Sequence, residues 1–344
     1  MDQPLISFDR RFAEELYERQ TLIQPALKEY SGIWRQKCIR DILLHLQFLD
    51  QAITANSTEL FRDYIAWVNV ILLQRGMTDN SMGFFLQVLE NTFQEMLVDP
   101  VYQELQPYLE AGREGLTTEI EASEESAILP DNPYYAEAKE YFEVVLGKDR
   151  QAGLQKVQEF IQRGIPIKDI YLHIFQPIQY EFGRLWQNNR ISIAQEHFAT
   201  ALTQLAMSQL YPQVYDSNRV GFRMIAACVG SEFHEVGIRM VTDFFEMAGW
   251  ETYYLGANMP AEAIIEAINE YDADLLALSI TLTTQITNLR NLISQIREGI
   301  HRDIKILVGG HPFNIDPKAW QVVGADGYAA DAESAVDMAF TLLT

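Results

Sequence analysis

One short segment of this sequence, "ACVGSEFHEVG", joins an acid, an imidazole and a glycine between an apolar run and an amphipathic stretch. Glu232 precedes His234 by two residues, and Gly237 follows three residues later. A neutral imidazole is a good transition-metal ligand, and an acid two residues away can accept its other ring N–H. A phosphate loop would instead carry more glycines and a lysine. Taken alone, a single histidine is more often a loop residue without a ligand, so the metal hypothesis depends on the rest of the chain.

Residues 220–344 show a pattern of strands and helices that predicts where this segment lies in the fold. Short apolar runs alternate with amphipathic stretches over this region: "FRMIAACV", "ETYYL", "DLLALSI", "IKILVGG" and "GYAA". This alternation predicts an open parallel sheet of about five strands with helices on both sides. Ligands of such sheets bind beyond the carboxyl ends of the strands. His234, Ser279 and the pair Gly309–Gly310 all follow predicted strands at such ends.

Three elements together resemble a known family. They are Glu232-x-His234-x-x-Gly237, Ser279-x-Thr281-x-Thr283 and Gly309-Gly310. At this spacing they resemble the cobalamin-binding domain of methionine synthases and corrinoid-dependent mutases, over residues 220–344. The resemblance implies an α/β Rossmann-like, flavodoxin-like fold. It also implies a cobalamin whose nucleotide tail is displaced from cobalt, so that His234 becomes the lower ligand (base-off, His-on).

The resemblance also implies roles for the residues around His234. Ser279 and Thr281 would hydrogen-bond the buried tail, and Gly309 and Gly310 would let it pass close to the backbone. The remaining expected cofactor-binding residues of these loops are Glu232, Phe233, Gly237 and Thr283. The family normally has aspartate where this chain has Glu232. The extra methylene is expected to weaken the contact between acid and imidazole or to route it through water.

A second motif lies before the predicted sheet. Trp186 is followed, after nine residues, by Glu196 and His197. Ser192 and Gln195 predict a capping box that starts a helix near Ile193. The apolar face of this helix is expected to run through Ala194, His197, Phe198, Ala201, Leu202 and Leu205. His197 is therefore expected to point into a buried surface.

The Trp-x9-Glu-His pattern resembles the helical cap of cobalamin-dependent photoreceptors. The resemblance implies that Trp186, Glu196 and His197 lie over the upper face of the corrin and shape the site of an adenosyl or methyl ligand. It implies a light sensor and signal-transducing protein, with the corrinoid as chromophore. Gln187 stands where a cobalt-capturing histidine follows the tryptophan in that family, so a bis-histidine product by that route is not expected.

Alternatives to this hypothesis stay open at the level of sequence. Photocobilins, a related group, pair the same cap with a bilin such as biliverdin, and an aromatic-rich N-terminal bundle would suit one. In a corrinoid methyl-carrier protein of a methyltransferase system, by contrast, Trp186 and His197 would be ordinary core residues. A partner-binding adaptor without its own output domain is the third hypothesis. None of the three makes the chain itself a catalyst.

The pattern along the chain predicts four regions. Residues 1–115 are expected to form an all-α N-terminal bundle, with Ser31 as one helix cap. Residues 116–132 are expected to be an acidic linker, residues 133–215 a four-helix-bundle cap, and residues 220–344 the α/β domain.

Composition limits the partners of the chain. The 344 residues carry a net charge of −22, which disfavours nucleic acid and anionic lipid surfaces. The two cysteines fit a reducing compartment, and no signal peptide or membrane span is evident. We therefore expect a cytoplasmic protein that binds cobalamin and a protein signalling partner. We expect no contact with nucleic acid or membrane. A homodimer is one oligomeric state that the sequence leaves open.

Overall fold

The computed structural model describes residues 8–29, 32–77, 80–117, 125–215 and 218–344. The chain divides into two compact units, Met1–Ile120 and Glu121–Thr344. Among the described residues, no helix combines the length and apolar character needed to cross a membrane.

The first unit is helical. Its helices are α1 (Arg10–Ile23), α2 (Ile33–Thr54), α3 (Thr58–Gln74), α4 (Ser81–Met96) and α5 (Asp99–Thr117), with a short 3-10 helix at Pro25–Glu29. Asp9 caps α1, because its side chain accepts hydrogen bonds from the N–H groups of Arg11 and Phe12. The predicted cap Ser31 lies outside the described residues.

The second unit begins with what we call the helical block, residues 135–214. It contains α6 (Tyr135–Leu146), α7 (Arg150–Gln162), α8 (Ile167–Asp169), a π-helical segment (Ile170–Phe175), α9 (Gln176–Gln187) and α10 (Ile193–Val214). Large aromatic side chains fill its core, among them Tyr141, Phe160, Phe175 and Phe182. The predicted capping box of Ser192 and Gln195 starts α10.

Part of the predicted linker is packed against this block. The Ser126 hydroxyl and the Ala127 N–H both donate hydrogen bonds to Glu181, and Ile128 is buried in the core of the block. Residues 125–132 therefore belong to the second unit, and α5 extends into the first two positions of the predicted linker.

The rest of the second unit is a five-stranded parallel sheet with helices between the strands, which confirms the predicted fold. The strands are β1 (Arg223–Val229), β2 (Glu251–Met259), β3 (Leu275–Ser279), β4 (Lys305–Gly309) and β5 (Gly327–Tyr328). The helices are α11 (Val236–Met247), α12 (Ala261–Glu270), α13 (Ile286–Gly299), α14 (His311–Ile315), α15 (Ala319–Val323) and α16 (Ala332–Leu343).

The order of the strands fixes where a ligand can bind. The order is β2-β1-β3-β4-β5, so the chain leaves β1 in one direction and β3 in the other. The last six residues of β1 are buried, as expected of a strand covered on both faces. In an open parallel sheet the ligand crevice lies beyond the carboxyl ends of the strands at this switch point. The loops after β1 and β3 therefore border the expected site.

Helix α11 also contacts the helical block. Tyr171 donates a hydrogen bond to Asp243 Oδ2 at 2.7 Å, and both side chains are buried. Nearer the start of α11, Gln204 Nε2 donates to Glu235 Oε1 at 2.8 Å. These contacts fix α10 and the π-helical segment against the helix that follows the His234 loop.

The Tyr171–Asp243 pair predicts an unusual pH dependence of stability. Burial is the main cause that raises the pKa of Asp243, to about 6, against an ordinary value of 3.8. A raised carboxyl pKa stabilises the folded state fully below pH 3.8, and that contribution is lost as the pH rises through 6. In Asp243→Asn, we expect this loss between pH 4 and pH 8 to shrink by about 2 kcal/mol.

Urea denaturation of both proteins at the two pH values measures this difference. Equal pH dependence in the wild type and Asp243→Asn would show that Asp243 ionises in the folded protein as it does in the unfolded chain.

Candidate functional site

Glu232 organises the loop that follows β1. Its side chain is completely buried. One carboxylate oxygen, Oε1, accepts hydrogen bonds from the N–H groups of Phe233 and His234 and from the His234 ring. The other oxygen, Oε2, accepts from the N–H groups of Thr281 and Leu282, in the loop after β3. A single carboxylate therefore ties together the two loops at the switch point of the sheet.

The ionisation of Glu232 and His234 follows from these contacts. Burial is the largest influence on Glu232 and acts to raise its pKa, but the hydrogen bonds from His234 and from backbone N–H groups outweigh it and lower the pKa to about 2. The hydrogen bond that the His234 ring donates to Glu232 is the main cause that raises the pKa of His234, and burial opposes it. Glu232 is thus a carboxylate at neutral pH, and it holds the proton of His234 on Nδ1.

The glutamate at position 232 reaches the imidazole directly. His234 Nδ1 lies 2.6 Å from Glu232 Oε1. The expectation that the longer side chain weakens this contact or needs a bridging water is therefore wrong. The backbone N–H of His234 bonds the same oxygen at 3.0 Å, so the loop curls back around the longer side chain. Because Nδ1 is engaged, Nε2 is the nitrogen that remains to bind a metal.

The other predicted residues of the sheet lie at the same edge. Ser279 is the last residue of β3, Gly309 is the last residue of β4, and their Cα atoms are paired in the sheet register. Thr281 contributes its backbone N–H to Glu232, while Thr283 is buried in the short turn that precedes α13. The structure thus brings these four residues to the edge where His234 lies.

Gly310 is required by the protein itself rather than by a bulky ligand. Its φ is +107°, and a Cβ at this position would lie 2.0 Å from the carbonyl oxygen of Ile280. The sequence-based explanation, that both glycines make room for a cofactor, is incomplete for Gly310. At Gly309 a Cβ would meet only the carbonyl oxygen of Ala329, at 3.2 Å.

This difference predicts unequal effects of two neighbouring substitutions. Gly310→Ala is expected to destabilise the protein by about 3 kcal/mol or more, because a positive φ and a backbone clash coincide. Gly309→Ala is expected to cost about 1 kcal/mol, because a small shift relieves its single contact. Thermal or urea unfolding of the two variants measures both, and similar losses would contradict the explanation.

The residues of the second motif lie on the helical block. Glu196 and His197 occupy the first turn of α10, with His197 Nδ1 2.6 Å from Glu196 Oε2. Trp186 is partly buried near the end of α9. The His197 side chain is 73% exposed, so the expectation that it points into a buried surface is wrong. The buried face of α10 instead runs through Ala199, Leu202, Thr203, Ala206, Met207 and Leu210.

Glu196 nevertheless lies near the predicted metal ligand. Its charge is one of the influences that raise the pKa of His234, after the stronger effect of Glu232. The start of α10 is therefore near enough to the loop after β1 for the Glu196 charge to act on His234.

The residues present fit a large, mostly apolar cofactor with a metal at its centre. The Nε2 atom of His234 belongs to a side chain that is 57% exposed. Its neighbour Phe233, a large apolar side chain, is 70% exposed. A Cβ on Gly237 would meet no atom within 4 Å, so open space adjoins the start of α11. A flat macrocycle would cover this apolar surface.

Sequence reasoning missed several residues of this site. The N–H groups of Thr281 and Leu282 hold Glu232, but a backbone role leaves no mark on residue type. Gln179 and Thr200 support Glu196 from within the helical block. The spacing of Thr200, four residues after Glu196, was the only available signal, because such residues are neighbours on a helix.

Comparison with family models supports the assignment of the cofactor. Residues 222–337 match a model described as "B12 binding domain". A second model with the same description matches residues 138–211, within the helical block.

Curated relatives are corrinoid proteins. The "Dimethylamine corrinoid protein 1" of Methanosarcina acetivorans is 31% identical over 140 residues, which cover 40% of this chain and 64% of that protein. The "Dimethylamine corrinoid protein 3" of Methanosarcina mazei is 29% identical over 168 residues, which cover 48% of this chain and 96% of that protein. The chain therefore spans somewhat less than two thirds of the length of the first relative and nearly all of the second.

A solved structure has the same fold. The monomethylamine corrinoid protein of Methanosarcina barkeri superposes with a TM-score of 0.54 at 21% sequence identity. The match covers 61% of this chain and 99% of that one.

These comparisons correct the predicted function. The prediction of a light sensor is wrong, because the curated relatives are named dimethylamine corrinoid proteins. The predicted photoreceptor-type cap is not shown by any of these matches. The matches support a corrinoid cofactor and give no support to a bilin, or to the role of a chromophore in signal transduction. The second unit of this chain therefore contains a cobalamin-binding domain, and its cofactor is a corrinoid.

Proposed function

We propose that this chain is a corrinoid methyl-carrier protein of a methyltransferase system. The contact between Glu232 and His234, at the switch point of a cobalamin-binding fold, carries the proposal. The names of the relatives agree with it, since they are dimethylamine corrinoid proteins. In this proposal the chain carries the methyl group on its cofactor, and partner methyltransferases would catalyse its loading and unloading.

His234 and Glu232 set the lower side of the site. Glu232 keeps the His234 proton on Nδ1, so that Nε2 is free to bind cobalt. The carboxylate increases the basicity of the imidazole, since a partial negative charge develops on the ring as its N–H is pulled toward Oε1. The same carboxylate fixes the loop after β3, through Thr281 and Leu282.

The loops after β3 and β4 accommodate the displaced tail in this proposal. Ser279 and Thr281 are the hydrogen-bonding side chains at this edge, and Gly309 carries no side chain there. When bound, the corrinoid would supply a cobalt atom that His234 would hold and that would accept and release a methyl group. Glu196 and Trp186 would lie toward this methyl group in the proposal. We call the end of the helical block that carries Trp186, Glu196 and His197 the exchange face.

We propose methylated amines as the methyl donors and methyltransferases as the protein partners. The support is the printed names of the relatives, which include both dimethylamine and monomethylamine corrinoid proteins. The net charge of −22 favours partners with a basic docking surface.

Methyl transfer to the loaded protein tests the proposal. The full chain is loaded with cobalamin, reduced, and mixed with dimethylamine and a methyltransferase of a dimethylamine system, and the visible spectrum is followed. We expect the methylated form to accumulate in the wild type and not in His234→Ala. The M. mazei dimethylamine corrinoid protein serves as the positive control. If that control is methylated while this chain retains cobalamin and is not, in repeats with monomethylamine and trimethylamine systems also, the assignment of methylated amines is refuted.

A further inference from the structure

A chain of polar side chains runs from the interior of the helical block to the exchange face. Thr203 on α10 is completely buried, and its hydroxyl lies 2.8 Å from the side-chain amide of Gln179 on α9. The other end of that amide lies 3.0 Å from the Thr200 hydroxyl, which in turn lies 3.1 Å from Glu196 Oε1. Glu196 Oε2 then contacts His197 Nδ1 at 2.6 Å.

The direction of these hydrogen bonds follows from counting protons. As placed, the Thr200 hydroxyl faces two acceptors, Gln179 Oε1 and Glu196 Oε1, although a hydroxyl has one proton. The oxygen and nitrogen of a glutamine amide are interchangeable by a half-turn of the amide, and the hydrogen-bond network decides between them. After that half-turn the amide NH2 donates to Thr200, and Thr200 can give its proton to Glu196.

The rotated amide satisfies every member of the chain. The Thr203 hydroxyl then donates to the Gln179 oxygen, so no two acceptors face each other. All donations run toward Glu196, whose side chain accepts from Thr200 on Oε1 and from His197 on Oε2. In the neutral form of the exposed His197 imidazole, a proton held on Nδ1 leaves Nε2 as an acceptor.

We propose that Gln179 and Thr200 are positioning residues of the exchange face. They hold the Glu196 carboxylate so that, in the neutral imidazole of His197, the proton stays on Nδ1 and Nε2 is the acceptor. The corrinoid role of this network rests on the proposed function, whereas the hydrogen-bond arrangement belongs to the chain alone. An unprotonated Nε2 accepts hydrogen bonds, so the group that it recognises is a donor, such as a water molecule or the ammonium nitrogen of a methylated amine.

Nitrogen-15 NMR of the histidine rings, in the full chain without cofactor, tests the arrangement. Two-bond proton–nitrogen spectra distinguish the tautomers, and His197→Gln assigns the signal among the six histidines. We expect the wild type to show the Nδ1–H tautomer of His197. Thr200→Val, which has the same shape without the hydroxyl, should raise the Nε2–H fraction about threefold, as loss of one hydrogen bond to a charged group allows.

Three further variants make the result specific. Thr200→Ser restores the hydroxyl and should restore the wild-type tautomer, and Gln179→Leu should resemble Thr200→Val. Thr242→Val is the matched control, since it removes a helical threonine hydroxyl that bonds only Ile238 O in its own helix. An unchanged His197 tautomer in both Thr200→Val and Gln179→Leu would overturn the proposal, as would a Thr200→Ser protein that behaves like Thr200→Val.

Cobalamin loading separates this proposal from the proposed function. In the proposed function the wild type retains cobalamin through Glu232 and His234, so its retention is measured separately from the His197 tautomer. If the wild type retains no cobalamin, the proposed function fails and the network loses its corrinoid role, whatever the histidine spectra show. If cobalamin binds but the tautomer is insensitive to both substitutions, only the positioning role fails.

Discussion

Replacing Glu232 with alanine is expected to lower the free energy of unfolding by about 3 kcal/mol or more, even without a cofactor. The substitution removes the shared acceptor of four backbone N–H groups and of the His234 ring. Each such donor that remains buried without a partner costs about 1–3 kcal/mol, and water can reach only part of this loop. Urea denaturation at neutral pH measures the loss.

The same interaction predicts how stability depends on pH. The pKa of Glu232 is lowered to about 2 from 4.5, and a lowered carboxyl pKa stabilises the folded state above the unfolded value. The contribution, about 3 kcal/mol, is therefore complete above pH 4.5 and is lost as the pH falls through 2. Glu232→Ala should lack this acid-dependent loss.

An exposed carboxylate provides the control. Glu262 lies exposed in the first turn of α12, and Glu262→Ala is expected to change stability by less than about 0.5 kcal/mol. A loss below about 1 kcal/mol in Glu232→Ala would mean that water replaces the carboxylate, and that the two loops are held by other contacts.

The second large effect concerns the metal. His234→Ala is expected to weaken cobalamin retention about 100-fold, because loss of a ligand should cost at least as much as loss of the residue that orients it. The cobalt should then take the nucleotide tail or water as its lower ligand. Paramagnetic resonance of the reduced, loaded protein shows this directly, since labelling histidine with nitrogen-15 alters the nitrogen splitting only when histidine is bound.

The matched control is another exposed histidine. His301 precedes β4, at the opposite edge of the sheet, and His301→Ala should leave both retention and nitrogen splitting as in the wild type. An isotope effect that persists in His234→Ala would show that another histidine holds the cobalt, and would refute the assignment of the lower ligand.

The α/β part of the fold was predictable from sequence because its strands are short apolar runs of distinct composition. The last six residues of β1 are buried, so almost every position carries the same signal. Apolar runs do not reveal the order of the strands, but the Glu232, Ser279 and Gly309 motifs already pointed to one edge. The spacing of apolar residues was less informative in α10, where such residues occur on all sides of the helix and Leu205 is 40% exposed. Its buried face was therefore assigned incorrectly.

Function was harder to predict than fold because Trp186, Glu196 and His197 form a short pattern that different corrinoid proteins can carry. Residue type and spacing indicate that these side chains share one end of the helical block. They do not indicate which group exchanges on the metal, which depends on partners that the chain meets. The names of the relatives favour the methyl-carrier alternative that we propose above.

The hydrogen bonds from Thr281 and Leu282 to Glu232 limit how this site can be grafted into another protein. Grafting the segment from Gly230 to Gly237 into another parallel-sheet scaffold would carry the histidine but leave half of its carboxylate clamp behind. The recipient would also need a loop after the strand that corresponds to β3. Two backbone N–H groups of that loop would have to lie within hydrogen-bond distance of the grafted carboxylate. The smallest unit that can be grafted is thus the pair of loops after β1 and β3, which are far apart in the sequence.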